Sequence, residues 1–148
     1  MSNVDAVRVA GRLSIAYMMA IASEVLRTFP LDFLDLLLVT TIANSNLLHL
    51  TPRETKKGRR SSLAQRDAER VGISRNAVSR ALNVPLETVR RRIAALIEKK
   101  ILLEQADGLV FSPDNPLGLG NNRELGAFNI EMLRLLFRNL KAHGIDLG

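Results

Sequence analysis

Side chains able to do acid–base, nucleophilic or metal chemistry are sparse in this sequence. It contains no cysteine, which excludes thiol nucleophiles, disulfides and thiolate metal sites. His49 and His143 stand far apart, and no Ser, Asp and His gather in the setting of a nucleophilic triad. The stretch GLGNN (118–122) lacks the preceding strand that would make it a phosphate loop. What the sequence offers instead is guanidinium. In NVPLETVRRRIAALIEKK (83–100), Arg90, Arg91 and Arg92 are consecutive on an expected helix. Guanidinium grips phosphate or pairs bidentately with guanine, so the chemistry indicated is binding of a nucleic acid, without turnover. No enzyme activity, cofactor or metal is expected.

An arginine triplet on a helix more often keeps that face wet, so its surroundings decide. The net charge is +6 over 148 residues, and it is unevenly spread. Residues 53–92 hold 12 Lys/Arg against 4 Asp/Glu, a local +8, which leaves 9 against 11, or −2, elsewhere. Localised basicity of this kind suits an anionic partner. Part of it lies in TPRETKKGRRSS (51–62), a loop by its Pro52 and Gly58, where Lys56, Lys57, Arg59 and Arg60 could reach phosphates or serve as a solvated linker.

The elements that must position the arginines read as follows. Residues 6–29 form a helix apolar around nearly its whole circumference, which demands cover on several sides. A second helix is expected over 31–50, with Asp32 and Asp35 in its first turn complementing the helix dipole. A short helix is expected over 62–70. Ser74 is an N-cap for a helix over 75–82, and Asn83, which tolerates positive φ, makes the turn into the arginine helix. Val78, Leu82 and Val84 on one side, and Val89, Ile93 and Leu96 at i, i+4, i+7 on the other, supply the core between the two helices. Small Ser79 lets them cross closely. With that core inward, Glu87, Arg90, Arg91 and Ala94 face outward and Arg92 lies on the flank. Two short apolar runs around Asp107-Gly108 signal a hairpin. A Pro/Gly/Asn-rich connector leads to a last helix over 124–143, closed by Gly144.

The stretch 73–112, and SRNAVSRALNVPLETVRRRIAALIEKKIL within it, resembles the winged helix-turn-helix transcription regulators of bacteria. Glu87-Thr88-Val89 is similar to the recognition helix of cyclic-nucleotide-type regulators, although the chain has no β-rich effector domain. The overall layout is closer to MarR-type regulators. The resemblance implies a mainly α fold: a winged helix-turn-helix over 31–112 with a small β-hairpin wing. It further implies N- and C-terminal dimerisation helices in 1–30 and 113–148. The implied partners are double-stranded DNA, with recognition helix 86–99 in the major groove, and a second copy of the chain. Arg75, Glu87, Thr88, Arg90, Arg91 and Arg92 are the implied DNA contacts, with Lys56, Lys57, Arg59 and Arg60 on phosphates. The chain departs from such families in two places. Lys100 stands where the recognition helix usually ends in Gly, and Asp107-Gly108 stands where the wing tip usually carries Arg or Lys.

Uncharged stretches at 13–23 and 36–50 fall short of the ~20 apolar residues that cross a bilayer, and the N-terminus lacks a signal peptide's order. A cytoplasmic protein without membrane contact is expected. Tyr17 could line a pocket for an unidentified small effector, ordinary packing being the simpler role. His49 is expected to bond a helix-end carbonyl. The competing function is a protein–protein adaptor that keeps a winged helix as scaffold and its basic residues for solubility.

Overall fold

The computed structural model describes residues 2–47 and 70–147. The basic loop with Lys56, Lys57, Arg59 and Arg60, His49 and all but Arg70 of the helix expected over 62–70 lie outside the described residues, and Arg70 itself is not helical. Among those described, five helices and one antiparallel hairpin appear in the order α1 (Asn3–Thr28), α2 (Phe33–Leu47), α3 (Arg75–Leu82), α4 (Leu86–Glu98), β1 (Leu102–Gln105), β2 (Gly108–Phe111) and α5 (Arg123–Ala142). The fold is mainly helical with a small two-stranded sheet. It divides into two compact units. One joins residues 1–30 to 121–148, and the other is the continuous segment 31–120.

In the continuous unit, Asp32 starts α2 by accepting the backbone N–H of Asp35 at 2.8 Å. From α2, Leu38 and Ile42 enter a core shared with Val78 of α3, Val89, Ile93 and Leu96 of α4, and Ile101, Leu102, Leu109 and Val110 around the hairpin, all nearly fully buried. Leu82 and Val84, expected in that core, are half-buried. Ser74 caps α3 by accepting from Ala77 N–H at 3.1 Å. The turn that follows rests on Asn83, whose φ of 51° and ψ of 43° place it in the left-handed region. Ser79 ties across it, its hydroxyl donating to Val84 C=O at 2.6 Å.

Helix α4 ends in a Schellman motif. Ile101 N–H reaches back to Leu96 C=O at 3.0 Å and Lys100 N–H to Ile97 C=O at 2.9 Å. Ile101 and Leu96 are both buried. The motif needs one left-handed residue, and here it is Lys100 at φ 59°. Helix α5 closes with the same pattern, Ile145 to Leu140 and Gly144 to Lys141, but there Gly144 takes the left-handed position.

The hairpin pairs Leu102 with Phe111 through to Gln105 with Gly108. Its two-residue turn is therefore Ala106-Asp107, one position earlier than the Asp-Gly signal suggests. Gly108 is instead the first residue of β2, at φ 132°, where a Cβ would come within 2.8 Å of Ile73 backbone. Ile73 lies there as a third strand-like segment, exchanging both backbone hydrogen bonds with Leu109 at 3.1 and 2.8 Å.

Asn46, buried near the end of α2, connects all of this. Its Nδ2 donates to Val71 C=O at 2.7 Å and to Leu109 C=O at 3.0 Å, and its Oδ1 accepts from Phe111 N–H at 2.9 Å. Its backbone C=O also accepts from Val71 N–H at 3.2 Å. A second buried amide, Asn115, folds the connector: it donates to Ser112 and Leu119 C=O and accepts from Leu119 N–H. That holds residues 113–120 with the segment 31–112.

The other unit pairs α1 with α5. Tyr17 donates its hydroxyl to Asn129 Oδ1 at 2.5 Å, which fills its hydrogen-bonding need by packing. A groove of about 160 Å³ beside it is lined by Leu13, Ala16, Ala20, Met132, Leu135, Leu136 and Asn139. Burial is thin: in α1 only Val25 is buried, and in α5 only Leu140. Taken whole, α1 is also long and apolar enough to cross a membrane, with an 18-residue window of mean hydropathy 1.4. Counting uncharged runs alone misses this, because Arg12 and Glu24 interrupt a stretch that is otherwise apolar.

Backbone strain at the two left-handed residues gives paired expectations. Asn83→Val should cost about 1–2 kcal/mol or more and Asn83→Gly little, since a β-branched side chain clashes there. Lys100→Gly should leave stability unchanged or raise it by up to about 1 kcal/mol, relief of strain offsetting the added freedom of the unfolded chain. Asn46→Leu should cost about 1–3 kcal/mol, because Val71 C=O and Phe111 N–H lose the Asn46 bond and Leu109 C=O keeps only Ile73 N–H. Thermal and urea melts of the four variants check all of these. A melt that ranks Asn83→Val with Asn83→Gly would place the turn elsewhere.

Candidate nucleic-acid interface

The core fixes which way α4 faces. Val89, Ile93 and Leu96 are turned fully inward, so Glu87, Arg90, Arg91, Ala94 and Ala95 are exposed on the opposite side and Thr88 is half-buried between. Glu87 sits in the first turn, at the positive end of the helix dipole. Its carboxylate is 3.9 Å from Arg90 Nη1, with both side chains more than half exposed, so solvent screens that pair and Arg90 stays available. Arg91 is exposed and has no ion-pair partner among the described residues. Ala94 and Ala95 leave the next turn of this face without bulk.

Arg92 is placed differently. Its Nη1 is hydrogen-bonded to Asp32 Oδ2 and lies 3.4 Å from Asp35 Oδ1, and its side chain is one-third exposed. The pair joins α4 to the start of α2. The Asp35 backbone N–H, and then Arg92, hold the Asp32 carboxyl below its ordinary value, while Asp32 pushes the Arg92 guanidinium up. Arg75, the other flanking arginine expected on an anionic partner, also has a carboxylate. It forks onto Glu104 of β1 at 2.5 and 3.2 Å, raising its own pKa and lowering that of Glu104. The triplet thus splits by helical phase: Arg90 and Arg91 point away from the protein, and Arg92 belongs to its framework.

Among the described residues, three further cations are exposed on the same unit, Arg80 of α3 and Lys99 and Lys100 at the end of α4. The sequence reading passed over them. Arg80 has a findable signal, since it lies two positions past buried Val78 and cannot share its face. An open cleft of about 310 Å³ lies between the start of α3 and the hairpin tip, bordered by Ser74, Asn76, Arg90, Glu104 and Asp107. Glu104 and Asp107 make its floor close to neutral, and Asp107 is engaged in accepting Gly72 N–H at 2.8 Å. The positive surface is therefore the outer side of α4, and the cleft adds little to it. Among the described residues no group of His, Asp or Glu could hold a metal ion.

Replacing Arg92 with Ala should lower stability only slightly, as for other solvent-screened ion pairs, and should leave any discrimination between anionic ligands unchanged. Acid unfolding checks the pairing. A carboxyl whose pKa is lowered by folding contributes stability above its unfolded value, and that contribution is lost as pH falls through the lowered one. Asp32→Asn should therefore flatten the decline of stability below about pH 4. An unchanged acid limb would mean that the Arg92 pair does not form in solution. No protein-family model matches this chain, and neither does any curated protein or solved structure.

Proposed function

We propose that this protein binds double-stranded DNA sequence-specifically as a homodimer and regulates transcription, with residues 31–112 acting as a winged helix-turn-helix. One observation carries the reading. On the N-terminal half of α4, opposite a fully buried core face, two arginines stand exposed and uncommitted, followed by alanines that allow close approach. A recognition helix requires such a surface to enter a major groove. Arg91 is the candidate for a bidentate base contact, Glu87, Thr88 and Arg90 flank it, and Arg80, Lys99 and Lys100 are placed to take phosphates. The Ala106-Asp107 tip bears no cation, so the wing's part in binding is small. Lys56, Lys57, Arg59 and Arg60 supply sequence-independent attraction. The terminal helices, in which only Val25 and Leu140 are buried, provide the self-association, and the setting is the cytoplasm.

A second reading, an adaptor that uses the same scaffold for a protein partner, draws on the commitment of Arg75 and Arg92 to internal carboxylates. Salt separates the two. A DNA binder loses affinity linearly in log salt, by about 0.9 per log unit for each phosphate neutralised. An adaptor shows no duplex binding at any ionic strength.

Binding sites recovered by selection from random duplex give the material for the decisive titration. Arg91→Ala should cost about 1–3 kcal/mol on the selected duplex and much less on random sequence. The joint change of Lys56, Lys57, Arg59 and Arg60 to Ala should weaken both duplexes alike and reduce the salt slope. Equal losses on both duplexes from Arg91→Ala would remove it from base reading.

A further inference from the structure

Packing on α5 accounts for only one face of α1. That face presents Leu13, Tyr17 and Ala20. The opposite face repeats in steps of three and four residues: Val4, Val7, Gly11, Ser14, Met18. A 3.5-residue repeat of this kind forms a continuous seam along a helix. Val4, Val7 and Met18 are 61%, 68% and 63% exposed, so none of the described residues covers the seam.

Gly11 lies in the middle of it. Glycine is the least favoured residue of a helix interior apart from proline, and a Cβ at this position would meet nothing within 4 Å. No contact inside the chain therefore explains the glycine. Close approach of a second backbone does.

We infer that a second copy of the chain lays its own α1 against this seam, the two helices crossing at Gly11 and Ser14. This rests on the homodimer in the reading above and names the surface that forms it. The amount of apolar surface fits that occupant. Nine large apolar side chains of the unit formed by residues 1–30 and 121–148 are more than a third exposed. At on the order of 100 Å² each, Val4, Val7 and Met18 on the seam and Ile15 and Met19 beside it give more than half of the ~800 Å² that each partner gives to a stable interface, and Ile130, Leu135 and Phe137 of α5 extend it. A bilayer fits less well, although α1 is long and apolar enough for one. The helix packed along its other face, α5, bears exposed Glu131, Arg134, Arg138 and Lys141. Insertion of α1 would have to bury those charges or strip α5 away. A crossing between identical helices is self-complementary, so each residue at its centre meets its own copy.

The absence of native cysteine makes the test clean. Under mild oxidation, Ser14→Cys and Gly11→Cys should give disulfide-linked dimers, because their Cα atoms lie within the ~7 Å that a disulfide spans. Ala16→Cys, exposed but off the seam, should not. In sedimentation, Val7→Glu and Gly11→Leu should weaken the dimer by at least about 30-fold with helical circular dichroism retained, the loss expected at the centre of an interface. Should Gly11→Leu unfold the chain, Val7→Glu and the cysteine pair decide. A wild-type dimer untouched by Val7→Glu, in which Ala16→Cys links as readily as Ser14→Cys, would overturn the seam and leave the homodimer standing. A wild-type monomer at about 50 µM would overturn both; a monomer that floats with phosphatidylglycerol vesicles would make the membrane the occupant. Duplex binding, measured alongside on the wild type, reports on the DNA reading separately.

Discussion

The continuous unit depends on one buried carboxamide. Asn46 brings together the end of α2, the strand-like segment at Val71 and both ends of the β2 backbone ladder, using both amide hydrogens and its oxygen. Without it, Val71 C=O and Phe111 N–H would lose a part-buried partner and Leu109 C=O would keep only Ile73 N–H, which is costlier than the bonds are individually worth. An apolar residue of similar size could fill the volume but could not bridge three segments that lie 25 to 65 residues apart in the chain. Because the hairpin follows α4 directly, fixing β2 also fixes where α4 ends. The orientation of Arg90 and Arg91 thus descends from a side chain that touches neither.

Two ion pairs refine that placement. Arg92 with Asp32 and Asp35 sets the roll of α4 against the start of α2, and Arg75 with Glu104 sets the start of α3 against β1. Each is partly exposed and energetically small. Their value is geometric: Arg75 forks bidentately onto Glu104, which holds a distance and an angle together, and Arg92 Nη1 sits between two carboxylates at the start of α2. The same arrangement makes the charge pattern more selective than the bare count of arginines suggests. Among the described residues, Arg75 and Arg92 are paired within the unit, and Arg90 and Arg91 remain exposed on the outer side of α4.

Much of this was legible in the sequence, because local rules governed it. The i, i+4, i+7 spacing of Val89, Ile93 and Leu96 placed the core face, Ser74 marked a helix start, and Asn83 marked the left-handed turn. The Schellman end at Lys100 was harder to read, since lysine carries none of glycine's preference for that region and the position can be recognised only from its hydrogen bonds. The hairpin turn was read one residue late. Asp-Gly is a common turn pair, but Gly108 is needed for the approach of Ile73, a tertiary reason that no dipeptide signal contains. Arg92 and Arg75 were legible as cations and illegible as framework. Their carboxylates lie 57 and 29 residues away or more, and Asp32 and Asp35 looked complete as dipole partners of their own helix. Asn46 gave no signal at all, being one of several polar residues in an otherwise apolar helix.

The unit built from the two ends of the chain has a consequence for synthesis. Residues 31–120 form an unbroken stretch, so every partner within that unit is synthesised before α5 is. Helix α1 leaves the ribosome first, yet its intramolecular cover, α5, begins about 95 residues after α1 ends. At ~5–20 residues per second, that leaves α1 uncovered for roughly 5–20 s. During that interval both of its apolar faces are bare on a nascent chain, next to the nascent chains of neighbouring ribosomes on the same message. Helix α1 is therefore covered later than it is made, and until then its apolar faces are open to any other apolar surface.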